Sequence, residues 1–288
     1  MEKINKGLFK QLYLPPKQSH KSQNGKLTII GGSKLFHGAS FWALKTASRI
    51  VDMVFYATVE ENKQLIKDLK SQLYDFILIP RGKTAYYLDQ SDAVLIGPGL
   101  VRGGRQATGT GESGRQTKKL TKKVLTDFPD KKWIIDAGSL QVMEKEWLAK
   151  LDQVVITPHL KEFVVLFDLD FAKIKGLKFE ELAGLVKSQA EKYNCLIVLK
   201  GVKDLVCSAE RCFFNTTGNQ GMTKGGSGDV LAGLIAGLSC KNDLFLAARA
   251  GVYLNGLAGD QLYKSRGPFY NASDLCDQLP KTLWKLLK

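Results

Sequence analysis

Seven short apolar runs, at 27–30, 53–56, 76–79, 93–96, 133–135, 154–156 and 196–199, recur through the first two-thirds of this chain. Between most of them lie longer stretches with helical spacing of apolar residues, at 39–50, 61–71, 116–128 and 179–193. Runs too short for a helix, alternating with amphipathic segments, predict α/β architecture: a largely parallel central sheet with helices on both faces. Beyond 199 the texture changes. The runs 205–208 and 212–215 are separated by only Ala209, Glu210 and Arg211, which suits an antiparallel hairpin at the sheet edge. Two consecutive helices, 229–238 and 244–263, and a short closing amphipathic helix follow. The Gly-, Thr- and Arg-rich stretch 102–114 reads as a mobile surface loop rather than a linker, because sheet-type segments continue on both sides. The expectation is a single domain over 26–288 behind an N-terminal extension, 1–25.

Composition narrows the function classes. With 44% hydrophobic and 24% charged residues the chain has apolar surface for a sizeable core. No window approaches the roughly 18 uncharged apolar residues of a membrane span, and the N-terminus lacks the apolar centre of a secretory signal, so a cytoplasmic protein is expected. The five cysteines are scattered without C-x-x-C spacing, which argues against a disulfide framework or a zinc site. A net charge of +14 raises the question of nucleic acid. The lysines spread through helical stretches such as 118–123 and 281–288, without interleaved aromatics, and read as solvated faces that attract phosphorylated metabolites.

In an open parallel sheet, ligands bind beyond the carboxyl ends of the strands. The informative residues fall there: Gly31-Gly32-Ser33, Gly97-Pro98-Gly99, Asp136, Thr157-Pro158-His159 and Lys200-Gly201 each follow an apolar run. The strongest signal is 219–231, NQGMTKGGSGDVL, a glycine loop opening a helix. The N–H groups of Gly226, Ser227 and Gly228 can converge on one anion at the positive end of that helix. Asp229 in the first turn could accept the proton of a hydroxyl attacking a terminal phosphoryl group, or it could serve as an N-cap. The spacing is not that of a Walker loop, which excludes P-loop NTPases. His159 could start a helix, Glu162 could answer that helix's dipole, and Asp136 could cap or contact magnesium or a hydroxyl. Gly233 and Gly237, four apart on one helix, suit close packing.

The segment Gly225-Gly226-Ser227-Gly228-Asp229-Val230-Leu231-Ala232-Gly233 resembles the signature of ribokinase-like small-molecule kinases and of the NAD(P)H-hydrate dehydratases. The dehydratases are the nearer resemblance, through Ser19-His20-Lys21, Ile30-Gly31-Gly32-Ser33, Ile96-Gly97-Pro98-Gly99-Leu100, Ile135-Asp136-Ala137, Thr157-Pro158-His159 with Glu162, Leu199-Lys200-Gly201, Asn255 to Asp260 and Ala272 to Leu275, all in order. The resemblance implies a lyase with a ribokinase-like fold that phosphorylates hydrated NADH or NADPH (NADHX, NADPHX) from ADP or ATP and then eliminates phosphate. It implies Asp229 as catalytic base. Lys200, Gly201, Val202, Lys203, Asp204, Gly226, Ser227 and Gly228 would border the nucleotide; Ala39, Gly99, His159 and Asp229 would border the hydrate. Mg2+ would travel on the nucleotide rather than in a protein cage. It also implies a homo-oligomer and, since few residues precede the first run, a separate epimerase. Departures are Val101 for a glycine, Gly138 for a second carboxylate, Asp204 for a threonine and Asn255 for a histidine. The rival readings are a kinase for a hydroxymethylpyrimidine or thiazole alcohol, and a non-catalytic nucleotide-binding module.

Overall fold

The computed structural model describes residues 1–71, 73–102 and 113–288. Its strands are β1 (Glu2–Lys3), β2 (Lys26–Ile30), β3 (Met53–Thr58), β4 (Ile77–Pro80), β5 (Ala93–Ile96), β6 (Lys132–Ile135), β7 (Gln153–Ile156), β8 (Leu196–Leu199), β9 (Asp204–Cys207) and β10 (Cys212–Asn215). The helices are α1 (His37–Ala47), α2 (Lys63–Leu69), α3 (Thr84–Asp89), α4 (Gly114–Asp127), α5 (Ala137–Leu140), α6 (Leu160–Leu166), α7 (Phe171–Lys175), α8 (Phe179–Lys192), α9 (Ser227–Ser239), α10 (Leu244–Arg266) and α11 (Ala272–Leu287). The strands form one sheet in the order β1-β10-β9-β8-β7-β6-β5-β2-β3-β4. Only β9 runs against the rest, pairing antiparallel with β8 and β10. The predicted architecture, a largely parallel sheet covered on both faces, is the one observed.

Period-two alternation divides the apolar residues between those faces. On β2, Leu27 and Ile29 join a core with α1, α9, α10 and α11, while Ile30 joins a second core with α4, α6 and α8. On β5, Ala93 and Leu95 face the first and Val94 and Ile96 the second. Strands buried on both sides read as continuous apolar runs, which is why they were visible in the sequence. Helix α9 is apolar nearly all round because α1, α10 and the sheet enclose it. A Cβ at Gly233 would stand 2.4 Å from the Ala43 carbonyl oxygen, and one at Gly237 3.0 Å from Ile50, so the two glycines permit the close approach of α1 and of the turn that follows it.

Several boundaries differ from expectation. The segment 61–71 is a 3-10 turn, Glu60–Asn62, followed by the shorter α2. Helix α9 begins at Ser227, with Gly226 as its cap, so the N-cap alternative for Asp229 is set aside. Residues before β2 join the same body: β1 pairs with β10, and Phe9, in a 3-10 turn over Lys6–Gln11, is fully buried against Tyr253. The reading against a disulfide is also corrected, since Cys207 and Cys212 are bonded. Their five-residue separation gives no sequence motif, yet the hairpin register sets them directly opposite each other. Cys195, Cys240 and Cys276 are free and buried. Of the stretch read as a mobile loop, 103–112 lies outside the described residues.

Candidate active site

The carboxyl ends of β2, β5, β6, β7 and β8 form one edge, which the glycine loop before α9 faces. Gly226 closes that loop in the left-handed region at φ 98°, and a Cβ there would stand 2.5 Å from the Trp42 ring. Only glycine fits this position, so Gly226 sets the direction of the helix against α1. The Ser227 hydroxyl donates to the Met222 and Lys224 carbonyls and tightens the same turn. Gly97 and Gly99 also have positive φ, and Cβ atoms there would strike the Asp136 and Phe36 carbonyl oxygens. The Gly-Pro-Gly turn is thus a close-packed support for the site rather than a free loop.

Two cavities meet at this edge. One, of about 570 Å³, is bordered by Lys200, Gly201, Val202, Asp204, Ser227 and Gly228 from the expected nucleotide set. Thr217, Asn219, Met222, Leu231, Val252 and Asn255 are among its other walls. The other, of about 340 Å³, is bordered by all four residues expected at the hydrate, Ala39, Gly99, His159 and Asp229, together with Asp136, Glu162, Lys200 and Gly228. Two expected nucleotide residues lie elsewhere: Gly226 packs on Trp42, and Lys203 carries its ammonium over the Phe179 ring at 5.3 Å. Phe36, Arg102 and Gln141 border the second cavity without having been singled out.

The polar groups of the second cavity form a connected set. Lys200 Nζ donates to Asp136 Oδ1 at 2.9 Å, with the Asp136 side chain only 2% exposed. Asp136 makes no capping bond to α5, so of its alternatives the helix cap is set aside. His159 caps α6: the Glu162 N–H donates to His159 Nδ1 at 3.2 Å, and the His159 N–H donates to Glu162 Oε2 at 3.0 Å. Gln141 Nε2 donates to the other Glu162 oxygen at 2.9 Å. Since Nδ1 accepts, the neutral ring carries its hydrogen on Nε2, which lies 3.6 Å from Glu162 Oε1 on a side chain that is half exposed.

Burial pushes the Asp229 carboxyl up to about 7; Asp136 and Glu162 add to the rise and Lys200 opposes it. A carboxyl that titrates near neutrality beside a cavity is matched to proton transfer. Burial also raises Asp204 above the usual carboxylate range, against the hydrogen bonds it accepts from Asn215 Nδ2 and the Gly201 N–H. Those two bonds tie the Lys200 to Asp204 loop to the end of the hairpin. Asp260 accepts from the Gly218 N–H and from Asn219 Nδ2, and Tyr270 donates to Asn219 Oδ1, which secures the other side of the nucleotide cavity.

Two of the departures, Gly138 and Asp204, have local explanations. A Cβ at Gly138 would stand 2.2 Å from the Leu100 carbonyl oxygen, so no second carboxylate fits there. Asp204 holds the loop as described. Asn255 is buried on the wall of the larger cavity with its Oδ1 lacking a hydrogen-bond partner. Val101 is buried, and nothing in the structure explains its choice over glycine.

Comparison with known proteins places this edge in context. A family model for NAD(P)H-hydrate dehydratase matches residues 27–281. The ADP-dependent (S)-NAD(P)H-hydrate dehydratase of Cenarchaeum symbiosum is 31% identical over 282 residues, covering 93% of this chain and 91% of that protein. The bifunctional NAD(P)H-hydrate repair enzyme Nnr of Methanocaldococcus jannaschii is 34% identical over 282 residues, 96% of this chain; the chain spans about half of that relative, 52%. Among solved structures, a Bacillus subtilis ADP/ATP-dependent NAD(P)H-hydrate dehydratase co-crystallised with ATP/Mg2+ superposes with a TM-score of 0.79 at 25% identity, covering 100% of this chain and 99% of that one. A ribokinase-like superfamily protein from Enterococcus faecalis gives 0.81 at 26%, covering 99% and 96%. With the family model matching most of its length, this chain belongs to the NAD(P)H-hydrate dehydratase family.

Proposed function

We propose that this chain repairs hydrated NADH or NADPH, using ADP or ATP to phosphorylate the added hydroxyl and then eliminating phosphate. The observation that carries the reading is the sharing of walls: Asp229 borders only the smaller of the two cavities, while Lys200 and Gly228 border both. A nucleotide in the larger cavity would present its terminal phosphate to Gly228 and the α9 N-terminus. A hydroxyl in the smaller would meet Asp229, which takes its proton as the oxygen attacks phosphorus. Loss of phosphate from the carbon that bore the hydroxyl, and of a proton from its neighbour, restores the ring double bond.

His159 would orient the hydrate through its Nε2 hydrogen, and Glu162 would hold the imidazole in that tautomer. Ala39 and Gly99 leave space beside it. Asp136 is engaged by Lys200, and Glu162 by Gln141 and the His159 N–H. These residues fit Mg2+ as a passenger of the nucleotide, where it would neutralise phosphate charge. Use of ADP or ATP is supported by the relatives named ADP-dependent and ADP/ATP-dependent. Cytoplasmic residence, self-association and cooperation with an epimerase acting on the same hydrate complete the proposal; no described helix is long and apolar enough to cross a membrane.

Product analysis tests the reading. With chemically prepared NADH hydrate, ADP and Mg2+, one AMP and one inorganic phosphate should appear for each dihydronicotinamide regained. A stable phosphorylated product that never regains the dihydronicotinamide band would identify a kinase instead.

A further inference from the structure

In hydrated NADH or NADPH the carboxamide stands on the ring carbon opposite the one that bears the added hydroxyl. With the hydroxyl at Asp229, the carboxamide points away from α9 and must be met by a side chain of another element. Its nitrogen is a hydrogen-bond donor and needs an acceptor. Among the described residues that border the smaller cavity, five side chains can accept: Asp136, Gln141, His159, Glu162 and Asp229. Four of them are committed. Asp136 accepts from Lys200, Glu162 from Gln141 and the His159 N–H, and His159 Nδ1 from the Glu162 N–H; Asp229 takes the hydroxyl proton. Gln141, half-buried at the C-terminal end of α5, spends its Nε2 on Glu162 and leaves Oε1 without a hydrogen-bond partner among the described residues. We propose that Gln141 is the specificity-determining residue of the smaller cavity, accepting the carboxamide N–H of the hydrate on Oε1, and that Glu162 is the positioning residue that orients it. This rests on the repair reading above and deepens it by naming how the ring is recognised.

The Gln141 amide is not free to turn over. Its Nε2 donates to Glu162 Oε1 at 2.9 Å, and the reversed amide would set Oε1 against a carboxylate oxygen with no hydrogen between them. Glu162 is itself buried and held by the two bonds it exchanges with His159, so it fixes which end of the amide is left for a ligand. The contact discriminates by what it leaves unpaired. A ring with a methyl ketone in place of the carboxamide brings no donor to Oε1, and a ring with a carboxylate brings a second acceptor. Sites that hydrogen-bond a substrate group reject analogues lacking it more strongly than apolar walls reject a change of size. An uncharged acceptor also adds no further negative charge to a wall that already carries Asp136, Glu162 and Asp229.

The competing account makes Gln141 a brace for Glu162 alone, and then its loss weakens every ring equally. Two ligands separate the accounts: NADH hydrate, and the hydrate of reduced 3-acetylpyridine adenine dinucleotide, in which a methyl ketone replaces the carboxamide. Titration calorimetry reads the dissociation constants of both for wild type and for Gln141→Met, and kcat/KM with ADP and Mg2+ is measured beside them. Wild type should bind NADH hydrate about tenfold or more tightly than the ketone. In Gln141→Met that preference should collapse to within a few-fold of unity, through weaker binding and a raised KM for NADH hydrate, while ADP affinity stays at the wild-type value. Equal binding of both hydrates by wild type, or the same preference in Gln141→Met as in wild type, would overturn the assignment; a lowered melting temperature with the preference intact would reduce Gln141 to the brace. Should the preference collapse as expected while wild-type protein never regains the dihydronicotinamide band, the carboxamide contact stands and the repair chemistry is the part that fails. Wild-type protein that binds neither hydrate would overturn both.

Discussion

At the scale of single residues, Asp229 carries the clearest consequences. A base with a pKa of about 7 must ionise to act, so kcat/KM for the hydrate should rise with pH through a limb near neutrality. Asp229→Asn should remove that limb and lower kcat by ~10²- to 10⁴-fold, with ADP affinity within a few-fold of wild type; a mutant with near-normal turnover refutes the assignment. The same shift has a thermodynamic sign. A carboxyl whose folded pKa lies above its unfolded value near 3.8 contributes full stability below that value and loses it as pH rises through about 7. Asp229→Asn should therefore be more stable than wild type at pH 8, by on the order of 1–4 kcal/mol, with the gain fading below about pH 4. Thermal melts at both pH values check it, and equal melting temperatures at pH 8 would show that the carboxyl is not strained by its surroundings. Asp229 and the glycines were readable because few structures crowd three glycines before an acid. The Lys200–Asp136 pair was not, since 64 residues separate its members and no local pattern joins them.

At the scale of elements, the start of α9 and the start of α6 do the positioning. Gly228→Val would place a branched side chain between Lys200 and the α9 N-terminus, where the nucleotide phosphate approaches. ADP affinity should fall at least tenfold by calorimetry; unchanged affinity would put the anion site elsewhere. His159 both caps α6 and borders the smaller cavity, so alanine would confound two roles. His159→Asn keeps a capping oxygen and removes the ring. Its melting temperature should stay near wild type while kcat/KM for the hydrate falls and ADP affinity holds. Wild-type kinetics in that variant would reduce His159 to its helix. The two sequence readings of His159, helix start and substrate contact, are thus both compatible with one geometry. Most helices were legible from their spacing, and 219–223 was read as part of the glycine loop, yet the anchoring of that loop was not legible, because Asp260 and Tyr270 hold it from far along the chain.

At the scale of the molecule, the sheet order explains how dispersed motifs reach one edge. β5 lies beside β2, β6 and β7 extend the sheet from it, and each parallel crossover returns the next strand's carboxyl end to the same side. The common direction of these strands, though not their order, followed from alternation alone. The N-terminal segment did not: two residues of β1 are too short to register as a strand, and their pairing with β10 spans more than 200 positions. Phe9 is fully buried beside Tyr253, so Phe9→Ala should cost about 3–5 kcal/mol by denaturant unfolding, and a loss below 1 kcal/mol would show residues 1–25 to be a detachable extension. The reaction proposed above joins a nucleotide in the larger cavity to a hydroxyl deprotonated by Asp229 in the smaller. It is tested most directly by the rate at which dihydronicotinamide absorbance returns from purified NADH hydrate with ADP and Mg2+, in wild type and in Asp229→Asn side by side. The account predicts a nucleotide-dependent return in wild type that is lost by ~10²-fold or more in the variant; a return independent of nucleotide, or equal in both proteins, would contradict it.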